Sequence, residues 1–216
     1  KLVPQDPDDE PASVLLERIR KEKERLVREK KIKPEKNPSV IFRGADNLPY
    51  EKRGKEVRCI ADEVPFEIPD SWEWVRLPHI AESELGKTLD KARNTGDPKP
   101  YLCSINVYWT GIELTEVKQA KFEIAEQEKY RLKDGDLLIC EGGDVGRCAV
   151  WHNSQEMYYQ NALHRVRFWG NILPEFFKMV LEAYKGEGLI DEASKGMTIK
   201  HFTQTSLYSL YFPLPS

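Results

Sequence analysis

Paired cysteines, ligand-spaced histidines and long apolar runs are all missing from this 216-residue sequence. Its four cysteines, Cys59, Cys103, Cys140 and Cys148, form no CxxC pair, and His79, His152, His164 and His201 stand at no ligand spacing beside them. Structural zinc, which needs closely spaced ligand pairs, is therefore not expected. Scattered thiols in strand-like contexts behave as small buried hydrophobes and suit a reducing cytoplasm. No stretch reaches the roughly eighteen apolar residues of a membrane span, and no charged-then-apolar secretory leader opens the chain. The expectation is a soluble, cytoplasmic protein without membrane contact. The first residue is Lys1 rather than Met, which points to a fragment of a longer polypeptide.

A strong charge of one sign is missing too. The net charge is -3, and up to Val64 16 Lys and Arg face 14 Asp and Glu, whereas from Pro65 onward 17 face 22. Bulk electrostatic attraction to nucleic acid is excluded by that balance, so any contact with a polyanion must be local. The acids are clustered: Glu113 to Glu128 holds five, while after Glu192 there are none and two lysines remain.

Catalytic motifs are equally scarce. In GDLLICEGGDVGRCAVW, Gly135 to Trp151, the glycine-rich loop is followed by Arg147 and Cys148 and returns to a strand. A phosphate-binding P-loop needs Lys and then Ser or Thr opening a helix. A restriction-type nuclease centre could draw carboxylates from Asp136 and Glu141, but the lysine it needs two residues after the second acid is replaced by Gly143. No nucleophile elbow is present. The tetrad NLPY, Asn47 to Tyr50, is one residue from the Asn-Pro-Pro-Tyr with which amino-methyltransferases hold a flipped adenine. No glycine-rich strand-to-helix motif for S-adenosylmethionine accompanies it, so no cofactor is expected. Two readings of the glycine loop remain open: a structural turn in which Gly142, Gly143 and Gly146 allow positive φ and close approach, or a small anion-binding concavity with Arg147 touching a DNA phosphate.

What is present divides into three parts. Residues 1–33 read as a helix: DDEPASVLLERIRKEKERLVREKK has acids before a Pro in the first turn, basic residues towards its end, and helpful pairs Glu17/Lys21 and Glu24/Arg28. Its apolar stripe, through Leu15, Ile19 and Leu26, is narrow and suits pairing with one partner helix; a solvated tail is the alternative. Residues 34–64 mix charges with Pro and Gly without a sustained period and read as a linker. Residues 65–216 read as a globular α+β domain, strand-rich, with strand-like runs at 101–108, 136–140, 148–151, 163–169 and 207–214. A helix starts near Pro174 and stops at Gly186. Strand–helix alternation is too sparse for a doubly wound sheet.

Four stretches, PFEIPDSWEWVRL, LKDGDLLICEGGDVGRCAVW, YQNALHRVR and SKGMTIKHFTQTSLYSLYFPLP, follow one another behind the charged helix ASVLLERIRKEKERL. In order and spacing they resemble the specificity subunit of a type I restriction-modification system. The resemblance implies one target recognition domain, the second of two, joined to a projecting conserved helix of coiled-coil type that pairs with another such helix. It implies reading of one half of a split double-stranded DNA site, with methyl transfer and cleavage left to separate modification and restriction subunits, and hence no catalytic residues, metal or cofactor in this chain. Two further classes compete: a docking scaffold without DNA contact, and a methyltransferase or nuclease supported only by NLPY and the Asp136/Glu141 pair.

Base-reading residues are not implied by the resemblance, because that region differs between specificities. Physical chemistry nominates them: Lys, Arg, hydroxyls and backbone N–H groups for phosphates, and Arg, Asn and Gln for base edges. GKTLDKARNTGDPKPYLCSINVYW concentrates Lys87, Arg93, Asn94, Lys99, Asn106, Tyr108 and Trp109; SKGMTIKHFTQ adds Lys195, Thr198, Lys200 and His201 without an acid nearby.

Overall fold

Strand pairing begins at Ser39, inside the stretch expected to be a linker. The computed structural model describes residues 6, 8–35, 37–90, 92–196 and 200–216. It divides the chain into two compact units, residues 1–80 with 211–216 and residues 81–210. Elements are numbered in chain order.

In the first unit, β1 (Ser39–Arg43), β2 (Pro49–Arg53) and β3 (Glu56–Cys59) form an antiparallel meander. Its turns use left-handed backbone at Asn47 (φ 63°) and Gly54 (φ 60°), residue types that tolerate it. The linker reading of 39–59 is thereby corrected. The alternation is faint in sequence because β3 is exposed along its whole length and β1 and β2 each bury a single residue, Ile41 and Glu51. A second antiparallel pair joins β4 (Glu73–Arg76) to the carboxy-terminal β14 (Tyr211–Leu214). Ile41, Ile60, Trp74 and Tyr211 form the apolar centre.

Beside it lies a buried carboxylate, Glu51. Arg76 donates to both its oxygens (3.3 and 3.0 Å), and Arg58 (3.1 Å), Arg53 (3.0 Å) and the Tyr211 hydroxyl (3.3 Å) add to the set. Burial alone would raise this carboxyl; hydrogen bonds from Arg76, Ser39 and Arg58 overcome that and hold it far below the usual carboxylate range.

Helix α1 (Ala12–Arg28) is anchored to its own unit. Ala12 and Ile19 are buried, Ile19 at 3% exposure, and the helix packs on the short α2 (Leu77–Ile80). The Ala12 N–H donates to the Ser71 carbonyl (2.9 Å) and the Lys23 ammonium to the Pro78 carbonyl (2.6 Å). Leu15 and Leu26 are half-buried. The narrow stripe is real and its central residue is covered by this chain, so a long projecting helix is not shown, while Leu15 and Leu26 keep part of their surface open. Hydrophobic periodicity tells which face is covered and not by what.

The second unit is built on a four-stranded antiparallel sheet in the order β11 (Cys148–Trp151), β10 (Asp136–Cys140), β13 (Leu163–Phe168), β5 (Ala81–Leu85). All five residues of β10 are buried. Leu138 and Cys140 enter a cluster with Leu102, Trp151, Tyr159 and Leu163, while Leu137 and Ile139 are covered on the opposite face of the strand. Helix α4 (Pro174–Gly186) packs on β10 and β11, burying Phe177, Val180, Leu181 and Tyr184 at helical spacing. Its bounds match the expectation because Pro174 opens the first turn. A smaller sheet joins β6 (Asp97–Leu102) in parallel to β12 (Tyr158–Tyr159) and antiparallel to β9 (Lys118–Phe122); β7 (Val107–Tyr108) and β8 (Gly111–Ile112) make a hairpin.

Three short helices complete the unit: α3 (Ile124–Tyr130), α5 (Leu189–Ala193) and α6 (Gln204–Ser209). Two expected strands are thus divided. The run 101–108 breaks at a tight 3-10 turn over Ser104–Asn106, and 207–214 becomes α6 followed by β14. Thr203 starts α6 by accepting the Ser206 N–H on its hydroxyl (3.2 Å), an N-cap that outweighs the strand-like residues after it.

Candidate nucleic-acid interface

Strand β10 ends where the glycine loop begins. The loop closes on itself: the Gly146 N–H donates to the Cys140 carbonyl (2.9 Å), and the Cys140 N–H to the Arg147 carbonyl (2.8 Å). Gly143 (φ 78°) and Gly146 (φ 82°) adopt left-handed backbone, and a Cβ on Gly146 would lie 2.6 Å from Ile190 of α5. Gly142 needs no positive φ; its α-carbon faces the His201 ring. The loop is therefore a packed turn.

That turn nonetheless holds a partly exposed cation, the Arg147 side chain being 20% exposed. One Arg147 nitrogen donates to the Ser104 carbonyl (2.9 Å), a second lies 3.8 Å from Asp144, and the guanidinium sits 4.8 Å from the centre of the exposed Tyr108 ring. Aromatic support and a fixed carbonyl leave the arginine with few orientations. Trp109, half-buried, occupies the turn of the same β7–β8 hairpin.

Roughly sixty residues later the chain returns to this place. The Phe202 N–H donates to the Glu141 carbonyl (2.8 Å), Phe202 is buried, and its carbonyl accepts from His164 Nε2 (2.9 Å). Just before it, Lys195 and His201 exchange backbone hydrogen bonds (3.0 and 2.7 Å), so their exposed side chains leave the neck of one loop. Thr198 lies outside the described residues. Burial pushes the Glu141 carboxyl up, with the charge of His201 acting against it.

Alternating charges join these parts. Arg147 faces Asp144 (3.8 Å), Asp144 faces Lys185 (3.6 Å), Lys185 faces Asp191 (3.1 Å), and Asp191 faces Lys200 (3.2 Å). Hydrogen bonds from Lys185 and then Lys200 hold the Asp191 carboxyl below its ordinary range. Asp144, Lys185 and Asp191 were not nominated from the sequence. The Asp191–Lys200 separation of nine residues was visible there, yet only α5 turns the two towards each other.

The first nominated cluster disperses. Lys87 is buried, its ammonium paired with Glu126 and 5.6 Å from the Phe122 ring centre. Asn106 is 2% exposed; its amide donates to the Glu113 and Glu116 carbonyls (3.0 Å each), and its carbonyl accepts the Cys103 N–H (3.0 Å). These two are interior struts and depart from the expectation of a DNA-facing set. Asn94 caps a turn by accepting the Asp90 N–H (2.6 Å), and Lys99 pairs with Glu156 (3.0 Å). Arg93 remains open, its side chain 88% exposed beside Asp90 (3.6 Å).

The nuclease alternative loses its first carboxylate. Asp136 is buried, and Arg167 donates to both of its oxygens at 2.7 Å while the Lys133 N–H takes a further position at 2.7 Å. Among the described residues, no three His, Cys, Asp or Glu side chains come together in a group that could hold a metal.

The family model for the type I restriction modification DNA specificity domain matches residues 69–216. The chain belongs to this family. All of the nominated DNA-facing positions lie inside the match to the specificity domain, and Leu15, Ile19 and Leu26 lie outside it. Over 143 residues the chain is 48% identical to the type I restriction enzyme EcoAI specificity subunit and 34% identical to the EcoEI specificity subunit, both of Escherichia coli. Each alignment covers 65% of this chain and 20% of the relative, so the chain spans about a fifth of the length of these curated proteins. In fold it is similar to the HsdS subunit from Thermoanaerobacter tengcongensis (TM-score 0.51, 18% identity, 70% of this chain and 35% of that one). It is also similar to a chain from a structural study of complex assembly and conformational transition in the type I restriction-modification system (TM-score 0.53, 16% identity, 94% of this chain and 45% of that one). The mixed α/β architecture of the specificity subunit is thus shared.

Proposed function

We propose that this chain reads one half of a bipartite double-stranded DNA target for a type I restriction-modification complex and thereby positions the modification and restriction subunits. Residues 65–216 carry the reading. The chain is a specificity component: it contributes recognition, and the methyl transfer and cleavage belong to its partners. The proposed setting is the cytoplasm, where free thiols persist, and all four cysteines here are free.

One observation carries the reading: Arg147, Lys195, Lys200 and His201, with Tyr108, converge around the glycine loop although the sequence separates them by up to 93 positions. Such a set of basic side chains, interleaved with Asp144 and Asp191 on an otherwise acidic chain, suits local phosphate contacts that set register on a duplex. Arg93, exposed on its turn, is the proposed base-reading residue, with Asn94 shaping the turn that presents it. Trp109 and the unplaced Thr198 stay in the proposal as flanking contacts, and Lys99 as a half-committed one.

The test is selection of bound duplexes from a random pool by the chain within its reconstituted complex. A short defined half-site is expected. Recovery of sequences with no common element would overturn the reading.

A further inference from the structure

The first unit carries an open groove of about 650 Å³ between the β1–β2 hairpin and residues 64–74. Ile41 and Trp74, both buried, form its floor. Its walls are Phe42, Leu48 and Phe66, which remain between 38% and 46% exposed. Phe42 stacks on Tyr50 (6.0 Å) and Phe66 tilts against Trp74 (5.2 Å), yet each keeps an exposed face, and adjacent apolar faces around a concavity mark a contact surface more often than an accident of packing. Leu48 and its neighbours Asn47 and Pro49 belong to the NLPY stretch, so the residues that resemble a base-holding tetrad here shape a groove wall.

The rim decides what the groove can take. Among its described lining residues, Asp46, Glu67, Asp70 and Glu73 stand against a single cation, Arg43. Arg43 is already committed, donating to the Pro69 carbonyl (3.0 Å) and the Trp72 carbonyl (3.4 Å). Asp46 is committed as well, accepting from the Tyr50 hydroxyl (2.7 Å) and the Leu48 N–H (3.2 Å). Glu67 is exposed, Asp70 lies 3.8 Å from Arg43 and accepts from the Asn47 amide (3.5 Å), and the half-buried Glu73 carboxylate accepts no hydrogen bond from a described residue. Burial pushes the Glu73 carboxyl up, with the charge of Arg43 opposing. A phosphate backbone would be repelled by these acids, whereas a cation would add to the partial compensation that Arg43 gives the partly desolvated Glu73.

We infer that this groove docks a segment of a companion polypeptide in which basic and bulky apolar side chains alternate. Its apolar side chains insert between Phe42, Leu48 and Phe66, and its Lys or Arg side chains meet Glu67, Asp70 and Glu73. Acids around an apolar slot select such a segment over acidic ones by charge, while the slot itself supplies the buried area. The groove belongs to a different unit from the proposed DNA-facing loops, so either proposal can fail without the other.

Calorimetric titration of the full chain with two capped hexapeptides tests this, one alternating Lys with Leu, the other alternating Glu with Leu. The basic peptide is expected to bind saturably, one per chain, more weakly as salt rises; the acidic peptide is not. The paired substitution Glu67→Lys with Asp70→Lys is expected to weaken the basic peptide by at least about tenfold with an unchanged melting temperature, and Phe66→Ser, which also loses its ring contact with Trp74, to weaken it as far while lowering that temperature. Glu73→Gln should weaken it without altering the uptake of the apolar side chains. No saturable binding, equal binding of both peptides, or wild-type affinity in these variants would overturn the inference. So would loss of DNA binding in the Phe66 variant, or a concentration-dependent dimer abolished by the same substitutions, since either assigns the groove to another occupant.

Discussion

The Lys200 ammonium lies 3.2 Å from one carboxylate oxygen of Asp191, whose other oxygen is 3.1 Å from Lys185. In the free chain, one acid therefore occupies two cations on the face proposed to meet DNA. A phosphate arriving there must compete with Asp191. Asp191→Asn should accordingly raise affinity for unrelated duplexes and steepen its salt dependence, narrowing the gap between cognate and unrelated DNA. Lys195→Ala and Lys200→Ala should each do the reverse, reducing the salt slope by about 0.9 per lost contact while leaving sequence preference intact. Salt-dependent binding by the assembled complex measures all three; unchanged slopes would place the DNA-facing surface elsewhere.

Arg93 and Asn106 should separate reading from support. The Asn106 side chain makes four hydrogen bonds in the interior, so Asn106→Ala is expected to cost about 1–3 kcal/mol of unfolding free energy by stranding buried partners. Arg93→Ala, at an exposed position, should leave stability unchanged and cost roughly 1–3 kcal/mol on the cognate half-site with relaxed preference at one position. Urea unfolding and duplex binding on the same two variants give the comparison.

Two glycines of one loop should respond differently. Gly143→Ala meets open space and bears only the left-handed backbone cost, roughly 1–2 kcal/mol. Gly146→Ala bears that cost and a Cβ contact of 2.6 Å with Ile190, adding about 1–3 kcal/mol of overpacking. Combining Gly146→Ala with Ile190→Ala should not restore the wild-type value, because the backbone term remains and the fully buried Ile190 is itself lost from the core, at about 2–5 kcal/mol. Denaturant midpoints of the four proteins test the order.

Glu51 makes the first unit acid-sensitive. Its carboxyl is depressed in the folded chain, so the stability it contributes is present above the ordinary carboxylate range and is lost as pH falls from about 4.5 towards the lower folded value. Glu51→Gln leaves the nearly buried Arg76 without its charge partner and is expected to cost about 3–5 kcal/mol at neutral pH. The difference between wild type and variant should shrink with acidification. A constant difference across that range would mean that the carboxylate contributes by shape alone.

Legible before any folding was whatever rests on local chemistry or on an ordered set of motifs. Helix α4 was legible because Pro174 opens it and its apolar residues recur at helical spacing. Strands β10 and β11 were legible because they are short apolar runs bounded by turn residues, and the family was legible from four stretches in order. The meander at 39–59 was not, since strands with one covered residue or none leave no alternation to read. Nor could the α6 cap at Thr203 be separated by pattern from the strand that follows. Burial decided the rest. Lys87, Asn106 and Arg93 share one polar segment and look alike as residue types, yet Glu126 and two backbone carbonyls draw the first two inside while the third stays in water. Ile19 lay on an apolar face in any reading, and only the folded chain shows that it is covered. The meeting of Arg147 with Lys195 and Lys200 depends on one backbone hydrogen bond from Phe202 to Glu141 and on the ion pairs of Asp144 and Asp191. Such contacts between distant positions leave no periodic trace in a chain, because they are set by how sheet and helix pack and not by the spacing of neighbours.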